Sequence, residues 1–137
     1  MITIIDAEGA ILGRMCTTIA KRLLGGEDIA VINSEKAIIS GKRRAIKERY
    51  TQKREVGTYR KGPFFPRFPD RLVKRTIRGM IPYQTSHGRA AYKRVKCYIG
   101  IPKEFTGKKY EKIQTALKQP VEFMTVGDLS KALGAEF

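Results

Sequence analysis

Apolar positions in the first forty residues change period more than once. Ile2, Thr3, Ile4 and Ile5 form a short β-branched run that stops at Asp6-Ala7-Glu8-Gly9, the pattern of a buried strand leaving into a turn. Ile11, Met15, Ile19 and Leu23 then recur every four residues, flanked by Leu12, Cys16, Ala20 and Leu24. Gly25-Gly26 ends the series, which predicts a helix with a wide core-facing stripe. Residues 29–32 and 37–39 are apolar runs too short for helices, separated by Asn33-Ser34-Glu35-Lys36, and they read as strands. Strand, helix, strand with one crossover helix predicts a parallel pair and an α/β sheet. Residues 97–101 supply a candidate later strand.

After Gly41 the pattern weakens. Residues 42–55 favour helix, but only Ala45, Ile46 and Tyr50 offer an apolar stripe, so most of that helix faces something polar. Residues 56–69 hold Gly57, Gly62, Pro63, Pro66 and Pro69 beside Phe64, Phe65 and Phe68, and the prolines predict a basic, aromatic loop. Asp70 is placed to cap a helix carrying Leu72, Val73, Ile77 and Met80, and Ser86 to cap another carrying Ala91 and Val95. Beyond Pro102 the composition becomes ordinary. There Thr125-Val126-Gly127-Asp128, followed by Leu129, Ala132 and Leu133, predicts a capped terminal helix.

Charge changes this picture. The 137 residues carry 28 Lys and Arg against 13 Asp and Glu, a formal +15. The excess is not spread: residues 42–96 hold 18 basic residues and only Glu48, Glu55 and Asp70 as acids, while the remainder is neutral. Self-repulsion within one stretch opposes folding unless a polyanion relieves it, so the middle of the chain is the expected binding surface. The length suits a single domain. No apolar stretch at the start resembles a secretory signal and none approaches the ~20 residues of a membrane span. Cys16 and Cys97, with His87 as the one histidine, lack the spacing of a zinc site, and both cysteines, with Met15, read as packing; no metal and no cofactor is implied.

Two short motifs invite a phosphate-handling reading. The turn from Asp6 to Arg14 lies between strand and helix, but its Gly9 and Gly13 spacing fits neither nucleotide fingerprint and Glu8 would repel an anion, which favours a tight structural turn. Ser40-Gly41-Lys42-Arg43-Arg44 lacks the first glycine and the magnesium-holding hydroxyl of a phosphate loop, so its side chains are expected to meet phosphates directly. With no nucleophile elbow and no convincing carboxylate pair, catalysis is not expected.

The candidate RNA-binding residues are Lys42, Arg43, Arg44, Lys47, Arg54, Arg60, Lys61, Arg67, Arg71, Lys74, Arg75, Arg78, Arg89, Lys93, Arg94 and Lys96. Spacings of three to five residues among Arg75, Arg78, Arg89, Lys93, Arg94 and Lys96 put several on shared helix faces, where they can follow a phosphate backbone. Phe64, Phe65 and Phe68 stack on splayed bases or anchor the loop on the core; composition does not separate the two. An enzyme built on the first turn and an RNA- or DNA-binding regulator are the rival readings.

Ordered motifs carry a family resemblance. Asp6-Ala7-Glu8-Gly9 with Leu12-Gly13-Arg14, then Val31-Ile32-Asn33-Ser34-Glu35-Lys36, Ser40-Gly41, Arg75-Thr76-Ile77-Arg78-Gly79-Met80-Ile81-Pro82 and Lys96-Cys97-Tyr98-Ile99-Gly100 resemble the universal large-ribosomal-subunit protein thirteen family over roughly residues 3 to 105. Gly62-Pro63-Phe64-Phe65-Pro66 and Ile101-Pro102-Lys103-Glu104-Phe105 resemble its archaeal or eukaryotic branch. The resemblance implies a three-layer α/β/α domain with a four-stranded, mostly parallel sheet and basic helical and loop extensions. It implies a non-catalytic constituent of the large subunit that binds ribosomal RNA, touches neighbouring ribosomal proteins, supports assembly and resides on cytoplasmic ribosomes, with no membrane and no small-molecule substrate as partner. The expected organisation is one domain over 1–137: a sheet core from 1–41 and 97–101, a basic RNA-facing region over 42–96, and a variable extension over 106–137.

Overall fold

The computed structural model describes residues 2–57, 60, 62 and 65–137. The opening apolar run forms β1 (Ile2–Asp6), and the four-residue period forms α1 (Leu12–Leu24). Met15, Cys16, Ile19 and Leu23 on α1 are fully buried, each apolar side chain of that size contributing about 1.5–3 kcal/mol on burial. β2 (Asp28–Ile32) returns parallel to β1, with Ile4 beside Ala30 and Asp6 beside Ile32. β3 (Ile38–Ser40), α2 (Arg43–Glu55), α3 (Pro69–Arg78) and α4 (Ser86–Lys93) precede β4 (Val95–Cys97), which pairs parallel to β2. The chain closes with β5 (Phe123–Thr125) and α5 (Val126–Ala132).

Alternation along the strands divides the sheet into two faces. Ile5, Ile29, Val31 and Val95 join one large core with α1, α2, α3 and α5, including Ile46, Leu72, Val73, Ile77 and Leu129. Ile4, Ala30 and Ile32 on the reverse face pack against Phe105, with Tyr98 and Tyr110 at its margin.

The expected four-stranded, three-layer arrangement is corrected here. The parallel sheet has three strands in the order β1-β2-β4, and β3 pairs instead with β5 in a separate antiparallel ladder, Ile39 facing Met124. Part of the reason is local. Asn33 adopts φ 55° and a one-turn 3-10 helix follows at Ser34–Lys36, which turns the chain off the sheet before β3 begins. Among the described residues β1 gains a single parallel bridge on its outer side, from Glu111 to Ile5. The reverse face is covered by residues 98–110, where Pro102, Gly100 and Gly107 leave room for a 3-10 turn at Lys103–Phe105 but, among the described residues, no α-helix.

Smaller differences follow tertiary demand. β4 starts at Val95, expected on the preceding helix, and ends at Cys97 rather than continuing to Ile101. Met80 lies beyond α3 and is 40% exposed. α3 begins with Pro69 after Phe68, without side-chain capping by Asp70, and Thr85 rather than Ser86 caps α4 by accepting from the Gly88 N–H at 3.1 Å. Thr125 caps α5 as expected, accepting from Asp128 N–H at 3.1 Å. Met124, Val126 and Leu129 sit in the same core as α1, so β5 and α5 are integral to the fold.

Candidate nucleic-acid interface

α2 buries only Ile46 and Tyr50; its other residues are exposed, among them Lys42 at the cap, Arg43, Arg44, Lys47, Arg49, Lys53 and Arg54. Two of these meet acids: Arg44 pairs with Glu48 at 3.1 Å and Arg43 approaches Asp128 at 3.9 Å. Arg54 donates to the Phe65 carbonyl at 3.3 Å, tying the loop to the helix. Arg60 and Arg67 are exposed, the latter beside Gly134 just past α5. Lys61 and Phe64 lie outside the described residues.

α3 turns Pro69, Leu72, Val73 and Ile77 to the core, which leaves Arg71, Lys74, Arg75 and Arg78 on its outer side at helical three-and-four spacing. α4 places Arg89 and Lys93 outward. Arg94 is different. It caps the C-terminal end of α4, half-buried, and donates to the Leu23 carbonyl at the end of α1 over 2.7 Å, a structural contact between two helices. Lys96 projects from the opposite side of β4 to Val95, but at the sheet edge it lines one pocket of about 310 Å³ with Arg71 and Lys74.

These cations lie against rings more than against carboxylates. Lys53 sits 4.7 Å from the Tyr50 ring and 5.3 Å from Phe65, and Arg75 is 5.8 Å from Phe65. Phe65 is partly buried against the main core and 5.9 Å from Tyr50, so it anchors the loop; Phe68 carries Arg71 at 5.4 Å. Arg78 lies 4.2 Å over Tyr83, Arg89 is 5.9 Å from the same ring, Tyr92 meets Tyr83 edge-on at 5.2 Å, and Lys74 is 4.8 Å from Tyr92. A neutral ring orders a cation without cancelling its charge. Sequence reasoning missed Arg49, Lys53, Tyr83 and Tyr92; the signal was present for the tyrosines as aromatic residues within the basic stretch.

The amides of residues 7–11, ahead of α1, are taken within the chain: Ala7 by the Ile32 carbonyl, Glu8 by the Asp6 carboxylate, Gly9 by Lys36, Ala10 by Ala7 and Ile11 by Ala116, all within 3.1 Å. The same Asp6 oxygen accepts from Asn33 Nδ2 at 3.0 Å, which makes this a structural clasp between the ends of β1 and β2. Among the described residues no helix is long and apolar enough to cross a membrane.

Residues 1–104 match the family model of Ribosomal protein L13. Similar curated proteins carry the name large ribosomal subunit protein uL13. That of Archaeoglobus fulgidus is 48% identical, covering 96% of this chain and 87% of its own. That of Methanosphaera stadtmanae is 47% identical over the full length of both, and that of Methanocaldococcus jannaschii is 47% identical over 98% of this chain and 99% of its own. Relatives of this kind also span residues 105–137, which the family model leaves out, in keeping with the burial of β5 and α5. On these matches and the ordered motifs within them, the chain belongs to the ribosomal protein L13 family.

Proposed function

We propose that this chain is a structural, non-catalytic constituent of the large ribosomal subunit, held on cytoplasmic ribosomes by large-subunit ribosomal RNA and in contact with neighbouring ribosomal proteins. The observation that carries this is the confinement of the whole +15 to residues 42–96, the stretch that supplies α2, α3 and α4 with their outward cations. Phosphate neutralisation by Lys42, Arg43, Arg44, Lys47, Arg54, Arg60, Lys61, Arg67, Arg71, Lys74, Arg75, Arg78, Arg89, Lys93 and Lys96 supplies affinity, and the shape of the face supplies orientation. Arg94 acts one step back, fixing α4 on α1 through Leu23. In the same reading the chain is a single domain whose 1–41 segment and β4 form the frame and whose 106–137 segment completes it. Bringing this rigid basic face to folded RNA is how such a protein would support subunit assembly. The glycine-bearing stretch that motivated the enzyme reading spends the amides of residues 7–11 inside the fold, which weighs against that reading.

Sedimentation of a cell lysate on a sucrose gradient tests the proposal. The protein should travel with large subunits and remain there after a high-salt wash; recovery entirely among free soluble proteins would overturn it.

A further inference from the structure

The turn between α3 and α4 borders an open, solvent-facing pocket of about 600 Å³ lined by Arg75, Arg78, Gly79 and residues 81–85. That volume falls within the roughly 300–1,000 Å³ of sites that hold one small organic molecule. Among the described residues no carboxylate lines it. Tyr83 stands at its wall, with the Arg78 guanidinium 4.2 Å above the ring and Arg89 5.9 Å away. Tyr92 meets the ring in a T-shaped contact at 5.2 Å, which fixes the position of Tyr83.

The backbone that carries Tyr83 is equally constrained. Its N–H donates to the Ile81 carbonyl at 2.8 Å, and the Thr85 N–H and hydroxyl both donate to the Pro82 carbonyl, at 3.0 and 2.8 Å. Gly88 of α4 lies so close beneath this turn that a Cβ there would collide with the Pro82 carbonyl. A fixed ring, a guanidinium over its face and a second guanidinium, Arg75, lining the same pocket exceed what a duplex phosphate backbone requires, since point charges suffice for phosphates. Planar groups of this kind serve unstacked bases, which bind on aromatic rings and guanidinium planes.

We infer that this pocket takes one unpaired ribonucleotide, its base stacked on the Arg78–Tyr83 layer and its phosphate held by Arg75 and Arg89. The inference rests on the RNA-binding reading above and assigns it a structural class of RNA: a bulge, loop or splayed junction rather than a continuous duplex.

The test uses the full chain and two synthetic RNA hairpins of equal length, one fully paired and one with a single unpaired purine. The wild-type chain should prefer the bulged hairpin by roughly 10-fold, the scale of one base–aromatic stack. Tyr83→Leu should bind both hairpins alike while its salt dependence stays unchanged, and Tyr83→Phe should keep the preference. Arg78→Lys, which retains the charge but not the plane, should lose most of it. A Tyr83→Leu or Arg78→Lys chain that discriminates as the wild type does would overturn the inference, as would a wild type that binds both hairpins equally. Failure to bind either RNA would instead remove the RNA-binding reading beneath it. Should Tyr83→Leu fail to fold, Arg78→Lys decides, because it leaves the ring and its turn in place.

Discussion

Arg22 and Arg78 are both partly buried arginines on core-packed helices, yet they face different company. Arg22 on α1 meets Glu27 at 2.9 Å and Glu111 at 3.0 Å, and those hydrogen-bonded carboxylates raise its pKa above the ordinary guanidinium value. Arg78 on α3 meets a tyrosine ring. In the regions around them the contrast is one of proportion: Lys112 approaches Asp6 in the neutral part, where Lys108 and Lys131 also lie over rings, whereas Arg75, Lys53, Lys74 and Arg71 of the basic part lie over Phe65, Tyr50, Tyr92 and Phe68 while Arg43 and Arg44 are paired with acids. A carboxylate positions a cation and erases its field; a ring positions it and leaves the field intact. The first arrangement ties a fold together, and the second keeps an ordered, positive surface for a polyanion.

The sharpest way to break the comparison is to remove the scaffold of the basic face without touching a charge. Gly88→Ala sets a methyl group against the Pro82 carbonyl, where backbone must move to accommodate it. Overpacking of this kind costs about 3 kcal/mol or more in stability. A urea unfolding midpoint should fall accordingly; a midpoint unchanged from wild type would mean that the α3–α4 turn is not held as described.

Removing charge should separate the two kinds of arginine. Arg75, Arg78 and Arg89 changed together to Ala should weaken RNA binding roughly 100-fold at moderate salt and lower the slope of log K against log salt by about 3, with stability little changed. Arg94→Ala should do the reverse. It deprives the Leu23 carbonyl of a charged donor, for about 2 kcal/mol of stability, and should leave the salt slope nearly as it was. If Arg94→Ala lowers the slope as much as one of the outer arginines, its charge belongs to the interface after all.

That contrast also marks what the chain's residues disclose on their own. The four-residue period of α1 and the Thr125 cap of α5 are local signals and appear where the pattern puts them. Charge confinement is equally visible, since it needs only counting. The partner of β3 is not, because the turn at Asn33 and a segment more than eighty residues away decide it together. Val95 has the spacing of the preceding helix, but burial beside Ile29 makes it a strand residue, tertiary context overriding local preference. Arg94 and Arg89 are indistinguishable as letters in a basic run; only the approach of α1 sets them apart. Tyr83 escaped notice because a tyrosine acquires meaning from the cation stacked on it, which lies five residues back across a helix end.

The smallest effect concerns the border where the basic helix meets the sheet. Burial pushes the Cys97 thiol up to about 12, with Lys74 pulling it down and Asp70 pushing it up, so desolvation outweighs the nearby cation. Cys16, buried beneath α1, is raised in the same direction, again chiefly by burial and then by Cys97. An ordinary thiol titrates near about 8.5 in the unfolded chain. Because the folded value is higher, the contribution to stability is complete below the unfolded pKa and is lost as pH rises from there toward the folded one. Between about pH 8 and about pH 10 the wild type should therefore lose about 1–2 kcal/mol more than Cys97→Ala, measured by urea unfolding at each pH. Parallel losses in the two proteins would show that the field of the basic region cancels the effect of burial on this thiol. In that case native Cys97 would also be alkylated as fast as a free thiol at about pH 8, whereas a thiol governed by burial reacts slowly there.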